Sequence, residues 1–282
     1  MTDITIRLPN GKWSYDDQSR LGAPGGFGEV FHGHGETDEV AVKRLRLSAQ
    51  HAAHRELDIG QALMQRDLSH VVPILDAGQD SESNQYFLIM PVCDFSLQDK
   101  IDEAGGDLDI QIISEAISAI IDGLLEVGDI THRDLKPANI LMHNGVWKIA
   151  DFGIAKFVED STSMETLRGC LTPQYAAPEQ WLGERATSAT DVYALGCIIH
   201  ALVNGQPPFL GSYDEIREFH LHTAPEQVSK LAKRIAAFVS LMLRKPPEAR
   251  PTLSRCSSVL SQISFEEPVR SDSHGALVDA AK

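Results

Sequence analysis

Residues 132–153, reading His-Arg-Asp-Leu-Lys-Pro-Ala-Asn-Ile-Leu-Met-His-Asn-Gly-Val-Trp-Lys-Ile-Ala-Asp-Phe-Gly, constrain this chain more than any other stretch. A carboxylate (Asp134), a cation (Lys136), an amide (Asn139) and a second carboxylate (Asp151) fall within it. Asn144-Gly145 separates two apolar runs, 140–142 and 146–150, and reads as a two-residue hairpin turn. A hairpin there folds the chain back and brings Asn139 and Asp151 together at its open end. Two oxygen donors facing one space suit a hard divalent cation such as magnesium. Asp134 and Lys136 lie just upstream, one placed to accept a proton and the other to face a phosphate. The pattern outlines a site for moving a phosphoryl group.

Composition sets the class. The chain has 282 residues, enough for two modest lobes or one large domain, and its 43% hydrophobic and 23% charged residues are those of an ordinary globular protein. The longest apolar run, 192–203, is short for a bilayer span and is interrupted by His200. The first residues lack the basic-then-apolar pattern of a secretory signal. Four scattered cysteines (Cys93, Cys170, Cys197, Cys256) have no paired spacing, which implies neither a zinc site nor a disulfide framework and points to a reducing, cytoplasmic setting. A net charge of −15, from 25 basic and 40 acidic residues, argues against nucleic-acid or anionic-membrane partners, whose phosphates would be repelled.

The ordered motifs His132-Arg133-Asp134 with Asn139, then Asp151-Phe152-Gly153, resemble the catalytic loop and metal-binding segment of the eukaryotic-type serine/threonine protein kinases. The rest of the chain extends the resemblance over roughly residues 13–262. Leu21-Gly22-Ala23-Pro24-Gly25-Gly26-Phe27-Gly28-Glu29-Val30 is similar to the kinase phosphate loop, in which glycines let backbone N–H groups approach phosphate oxygens. The fit has one irregularity: counting back from Phe27-Gly28-Glu29-Val30 puts the first motif glycine at Ala23, and Gly22 stands one residue early. Residues 40–47 read as the following strand, with Ala41 lining the nucleotide site and Lys43 as the phosphate-facing lysine. A helix over 51–68 carries Glu56, which the resemblance pairs with Lys43.

Strands are expected over 71–77 and 86–92, with a polar turn through 81–84 between them. The second strand ends in Met90-Pro91-Val92-Cys93, similar to the kinase hinge. There Met90 lines the rear of an adenine slot, and Val92 or Cys93 supplies the backbone donor, since Pro91 has no N–H. Apolar residues at 110, 112, 113, 116, 117, 120, 121, 124 and 125 predict a buried helix over 110–127 that leads into the catalytic loop.

Past Gly153, a Ser/Thr-rich segment closes in Ala177-Pro178-Glu179, which looks like an activation segment ending in its A-P-E motif. Arg133 is the residue that in regulated kinases holds a phosphorylated activation segment, and Thr166, then Thr162, Ser163 and Ser161, are its candidate phosphate carriers. Asp191, alone in the apolar helix 189–203, is expected to meet the catalytic-loop backbone, and Arg250 to pair with Glu179. Lys136 with Thr172 is the signature for Ser/Thr acceptors.

The resemblance implies an α+β, two-lobed fold: a small, mainly antiparallel β N-lobe with one helix (13–90) and a larger, mainly helical C-lobe (91–263). A hairpin-forming extension (1–12) precedes them and a flexible polar tail (264–282) follows. It implies transfer of the ATP γ-phosphate to Ser/Thr hydroxyls of protein substrates. Asp134 acts as base, Lys136 compensates charge, Asn139 and Asp151 hold Mg2+ or Mn2+, and Leu21, Gly22, Gly25, Gly26, Gly28 and Val30 cover ATP. Self-association for trans-autophosphorylation in the activation segment is part of the same expectation. The short chain reads as a free-standing cytosolic enzyme. A pseudokinase-type ATP-binding or scaffold module is the alternative, motivated by the irregular glycine loop. A small-molecule phosphotransferase of similar fold fits less well, because those enzymes lack the A-P-E segment and its arginine.

Overall fold

The computed structural model describes residues 3–22, 28–45, 50–128, 130–152, 171–228 and 230–261, with residues 50–56 described by their backbone alone. Expectations for Gly25, Gly26, the Glu56 side chain, Gly153, Ser161, Thr162, Ser163, Thr166 and the tail over 264–282 lie outside the described residues.

Two lobes are present, a curled antiparallel sheet followed by a helical body. Strands β1 (Asp3–Leu8), β2 (Gly11–Arg20), β3 (Gly28–His34), β4 (Glu39–Leu45), β5 (Asp76–Gln79) and β6 (Tyr86–Pro91) form one sheet in the order β1-β2-β3-β4-β6-β5. Side chains alternate across a strand, so β4 divides its residues between two environments. Val40 and Val42 join Ile6, Leu8, Tyr15, Phe31, Phe87 and Ile89 in a core above the sheet. Ala41 and Lys43 point the other way, toward the cleft, in register with Met90 and Leu88 of β6.

The N-terminal hairpin is an integral part of this sheet. β2 runs unbroken through residues 11–20, pairing with β1 at its start and with β3 beyond, so a boundary after residue 12 falls inside a strand. Two buried carboxylates tie the sheet's opposite edges together. Asp76 Oδ2 accepts the backbone N–H of Asn10 at 3.0 Å and the Trp13 indole N–H at 2.8 Å, and Asp80 Oδ1 accepts the Arg7 N–H at 2.9 Å. These bonds satisfy groups on β1 and the turn after it, and they wrap the sheet around its apolar core.

Helix α1 is Gln50–Met64, ending four residues before the predicted limit. The strand expected over 71–77 forms only from Asp76 onward. Pro73 has no N–H to give a ladder, and Val71 and Val72 instead engage the C-lobe: Val72 N–H donates to Ile149 O at 2.9 Å, and Ile149 N–H to His70 O at 2.8 Å.

In the C-lobe, β7 (Phe95–Ser96) leads into α2 (Leu97–Ala104), started by a Ser96/Asp99 capping box and stopped by left-handed Gly105. The apolar stripe predicted over 110–127 forms α3 (Ile110–Val127), capped by the Asp109 side chain. Gly123 lets α3 approach closely, since a Cβ there would lie 2.8 Å from His70 O and 2.9 Å from the Ile149 side chain. Strands β8 (Ile140–His143) and β9 (Val146–Ile149) are joined by Asn144 and Gly145 with φ of 53° and 76°, the left-handed pair that a two-residue hairpin requires. Beyond them come α4 (Pro178–Trp181), α5 (Ser188–Asn204), α6 (Tyr213–His222), α7 (Lys233–Met242) and α8 (Leu253–Leu260). Helix α5 is apolar on all sides and is buried from Thr190 to Val203, the axis on which α3, α7 and α8 pack. Among the described residues no helix is long and apolar enough to cross a membrane.

Candidate active site

The loop that joins α3 to β8 cannot be regular, because Pro137 interrupts it and Arg133 has φ of 71°. A non-glycine residue holds that left-handed conformation only where its surroundings impose it. Asp191, on the first turn of α5, does so from below. Its Oδ2 accepts the His132 N–H and its Oδ1 the Arg133 N–H, each at 2.9 Å. Burial pushes the Asp191 carboxyl up from its ordinary pKa, and these N–H groups pull it back only in part. His132 is fully buried. Its Nδ1 accepts from the Asp134 N–H at 3.2 Å, so Nε2 carries the proton and donates to Ala150 O at 2.8 Å. The His132 ring meets Phe152 edge-on, with centroids 4.7 Å apart.

With Leu135 buried as an anchor, the neighbouring Asp134 and Lys136 converge. Asp134 Oδ1 accepts the Thr172 hydroxyl at 2.7 Å, and Oδ2 accepts Lys136 Nζ at 2.8 Å. Lys136 Nζ also donates to Thr172 Oγ1 at 2.9 Å, closing a triangle between the catalytic loop and the segment 38 residues downstream. Pro137–Asn139 forms a 3-10 turn, after which Asn139 Nδ2 donates to Asp134 O at 2.9 Å. That bond commits the amide nitrogen and leaves Oδ1 as the amide atom suited to a cation.

Across the hairpin, Ala150 N–H donates to Asn139 O at 2.8 Å, which sets the following Asp151 beside Asn139. Asp151 has φ of 61° and places Oδ1 3.1 Å from Lys43 Nζ, so the cleft lysine of the N-lobe and the second carboxylate of the C-lobe meet. Burial alone would raise Asp151. The Lys43 ammonium, with Lys136 adding to it, outweighs that and holds the carboxyl below its usual range. Asp151 is therefore ionised and cation-seeking at neutral pH. An acidic oxygen and an amide oxygen are the hard donors that a magnesium-type cation takes when phosphates and water complete its shell.

Beside this polar cluster lies an apolar slot. Ala41, Val72, Met90 and Ala150 pack together, with Leu21, Val30, Cys93 and Leu141 against them. Burial, aided by Asp94, pushes the Cys93 thiol up to about 11, so this cysteine stays neutral and serves as slot wall. Behind Met90 lies a narrow recess lined by Gly60 and Leu63 of α1, Val71, Leu88 and Phe152. The described ends of the glycine-rich segment lie above the slot: Leu21 N–H bonds Val30 O at 2.9 Å, and Gly22 has φ of 78°. Gly28 can carry no side chain, since a Cβ there would sit 2.6 Å from Arg44 O.

Below the catalytic loop, Glu179 pairs with Arg250 and also accepts the Thr190 hydroxyl at 2.7 Å. Two polar residues that the sequence analysis did not single out complete the scaffold, Thr190 and Gln180. Gln180 Nε2 donates to Arg133 O at 2.7 Å. The signal available for it was position alone, a buried amide directly after Ala177-Pro178-Glu179.

The fold and this cluster define a phosphoryl-transfer class, and comparison with known proteins names it. The family model of the protein kinase domain matches residues 15–262, and the chain belongs to that family. ATP and a divalent metal are the ligands such a domain uses, and proteins its substrates. Over 270 residues it is 33% identical to a probable serine/threonine-protein kinase PknB of Corynebacterium glutamicum, covering 85% of this chain and 41% of that protein. It is 39% identical over 214 residues to a probable serine/threonine-protein kinase of Corynebacterium efficiens, covering 69% and 32% respectively. The serine/threonine-protein kinase PknB of Mycobacterium leprae is 31% identical over 257 residues, covering 83% of this chain and 41% of its own. The chain thus spans less than half the length of these relatives.

Proposed function

We propose that this chain is an ATP-dependent serine/threonine protein kinase. The observation that carries the reading is Asp134, whose two carboxylate oxygens are held by Thr172 and Lys136 while Asn139 and Asp151 stand beside it. Asp134 orients an incoming hydroxyl and accepts its proton. Lys136 keeps positive charge next to the transferring group. Lys43 reaches the α and β phosphates from the sheet, and its contact with Asp151 puts ammonium and metal-binding carboxylate at one point. Asn139 Oδ1 and Asp151 are the groups that would hold Mg2+, which would supply charge neutralisation on the phosphates. The slot between Ala41, Val30 and Leu141 takes adenine, with the N–H of Val92 or Cys93 as donor. Little covalent work falls to the protein; positioning and charge compensation account for most of the rate. Thr172, bonded to both Asp134 and Lys136, supports Ser/Thr rather than Tyr acceptors.

Serine- or threonine-bearing proteins are the substrates, and a second copy of the chain is one of them, modified in trans at Thr166 or its neighbours. The charge of −15 supports a protein that engages neither nucleic acid nor anionic membrane, and the scattered cysteines support a reducing, cytoplasmic setting. Retention of Lys43, Asp134, Asn139 and Asp151 together argues against the scaffold alternative. Purified wild-type protein given labelled ATP, magnesium and a generic acceptor transfers phosphate. Asp134→Asn and Lys43→Met fold and do not, and robust incorporation by either variant would reject these roles.

A further inference from the structure

The peptide unit that joins Arg133 to Asp134 is gripped at both ends. Its N–H, on Asp134, donates to His132 Nδ1 at 3.2 Å, and its C=O, on Arg133, accepts from Gln180 Nε2 at 2.7 Å. Gln180 is itself fixed, because its Oε1 accepts the Ala177 N–H at 3.0 Å and its side chain is buried. Arg133 has φ of 71°, a conformation a non-glycine residue leaves readily when its restraints are removed. The plane of this peptide determines where the Asp134 side chain starts. We propose that Gln180 is a positioning residue for Asp134: it holds the Arg133 carbonyl so that the carboxylate meets Thr172 and Lys136. It thereby makes the geometry of the base depend on the seating of the segment that contains Thr172, Ala177 and Gln180. This inference rests on the kinase reading above and adds to it a residue acting through the backbone.

The chemistry gives a test that bulk or stability alone does not reproduce. In Gln180→Glu the ionised side chain keeps the acceptor for Ala177 N–H and loses the donor to Arg133 O, setting two oxygens against each other. Protonation restores a donor. Gln180→Met fills similar volume and has no donor at any pH. For Gln180→Glu at pH 8 we expect kcat for a protein acceptor to fall at least tenfold with KM for ATP changed less than about threefold, because no ATP-facing group is altered. The ratio of Gln180→Glu to wild-type kcat rises as pH is lowered from 8 to 6, whereas the ratio for Gln180→Met stays flat and low. Wild-type kcat in Gln180→Met, or equal and pH-independent deficits in both variants, overturns the inference. If Gln180→Glu does not fold, the kcat of Gln180→Met decides alone. Wild-type protein that transfers no phosphate rejects the kinase reading itself, a different outcome from an active wild type with unaffected variants.

Discussion

Arg250 grips Glu179 with two parallel bonds, Nη1 to Oε1 at 2.7 Å and Nη2 to Oε2 at 2.8 Å, across 71 residues of chain. The remaining guanidinium donors reach Arg244 O, Ala189 O and Lys245 O, so every N–H of the group is used inside the protein. One side chain thereby ties the turn before α8, the start of α5 and the start of α4. Removing it leaves the Glu179 charge buried without its partner. Arg250→Met should lower unfolding stability by about 3–5 kcal/mol, read from urea midpoints. Arg250→Lys rescues little, because an ammonium cannot match the fork. Glu179→Gln combined with Arg250→Met should be more stable than Arg250→Met alone.

Asp191 faces two N–H groups with two oxygens. Asp191→Asn keeps the shape and turns one acceptor into a donor, leaving a backbone N–H opposed. Stability should drop by about 1–3 kcal/mol. Phosphoryl transfer should fall by about tenfold or more under conditions where the variant is fully folded, since the opposed groups are those that hold His132 and Arg133. Activity per folded molecule equal to wild type would reject this reading of the loop.

Thr172 links Asp134 to Lys136 through one hydroxyl. Thr172→Val keeps size and branching and removes donor and acceptor together. Hydrogen bonds to charged groups contribute about 1.5–3 kcal/mol, so kcat should fall roughly 10- to 100-fold. Thr172→Ser should stay within a few-fold of wild type. Steady-state rates on one acceptor peptide distinguish the two.

His220 is buried among Trp181, Tyr193 and Phe209, with Nδ1 2.9 Å from the Tyr193 hydroxyl. Burial, with Lys245 nearby, drives its pKa down to about 3 from an ordinary 6.5. Between those values the unfolded chain binds a proton that the folded chain refuses, so stability is lost as pH falls through that window. From pH 6.5 to pH 5 the loss attributable to this group is about 2 kcal/mol. His220→Phe should be somewhat less stable at pH 7, for want of the Tyr193 bond, and should show a shallower decline toward pH 5. Urea denaturation at a series of pH values measures both.

Local signals made much of this fold legible. The nine apolar positions over 110–127 set both ends of α3, and Asn144-Gly145 set the β8–β9 turn, because each pattern has one physical solution over a few residues. Val71 and Val72 did not obey their own β-branched composition, since their partner is Ile149 in the other lobe, and pairing with β6 begins only where Leu75 N–H reaches Ile89 O. Of the site, the chemistry-bearing residues could be named from their order, but what holds them could not. The bonds from Gln180 to Arg133 and from Thr190 to Glu179 join residues whose side-chain directions depend on the packing of α4 and α5. No periodicity records that.

The carboxylates of Asp76 and Asp80, clasping the turn and strand that open the chain, carry a lesson about boundaries. Likeness to the family begins at residue 15, yet Ile6 and Leu8 are buried with Phe31 and Val42. Shared ancestry and cooperative folding therefore draw different borders on the same molecule. A chain trimmed to the shared part would uncover oily side chains at the top of the small lobe and take from two acids the partners they hold there.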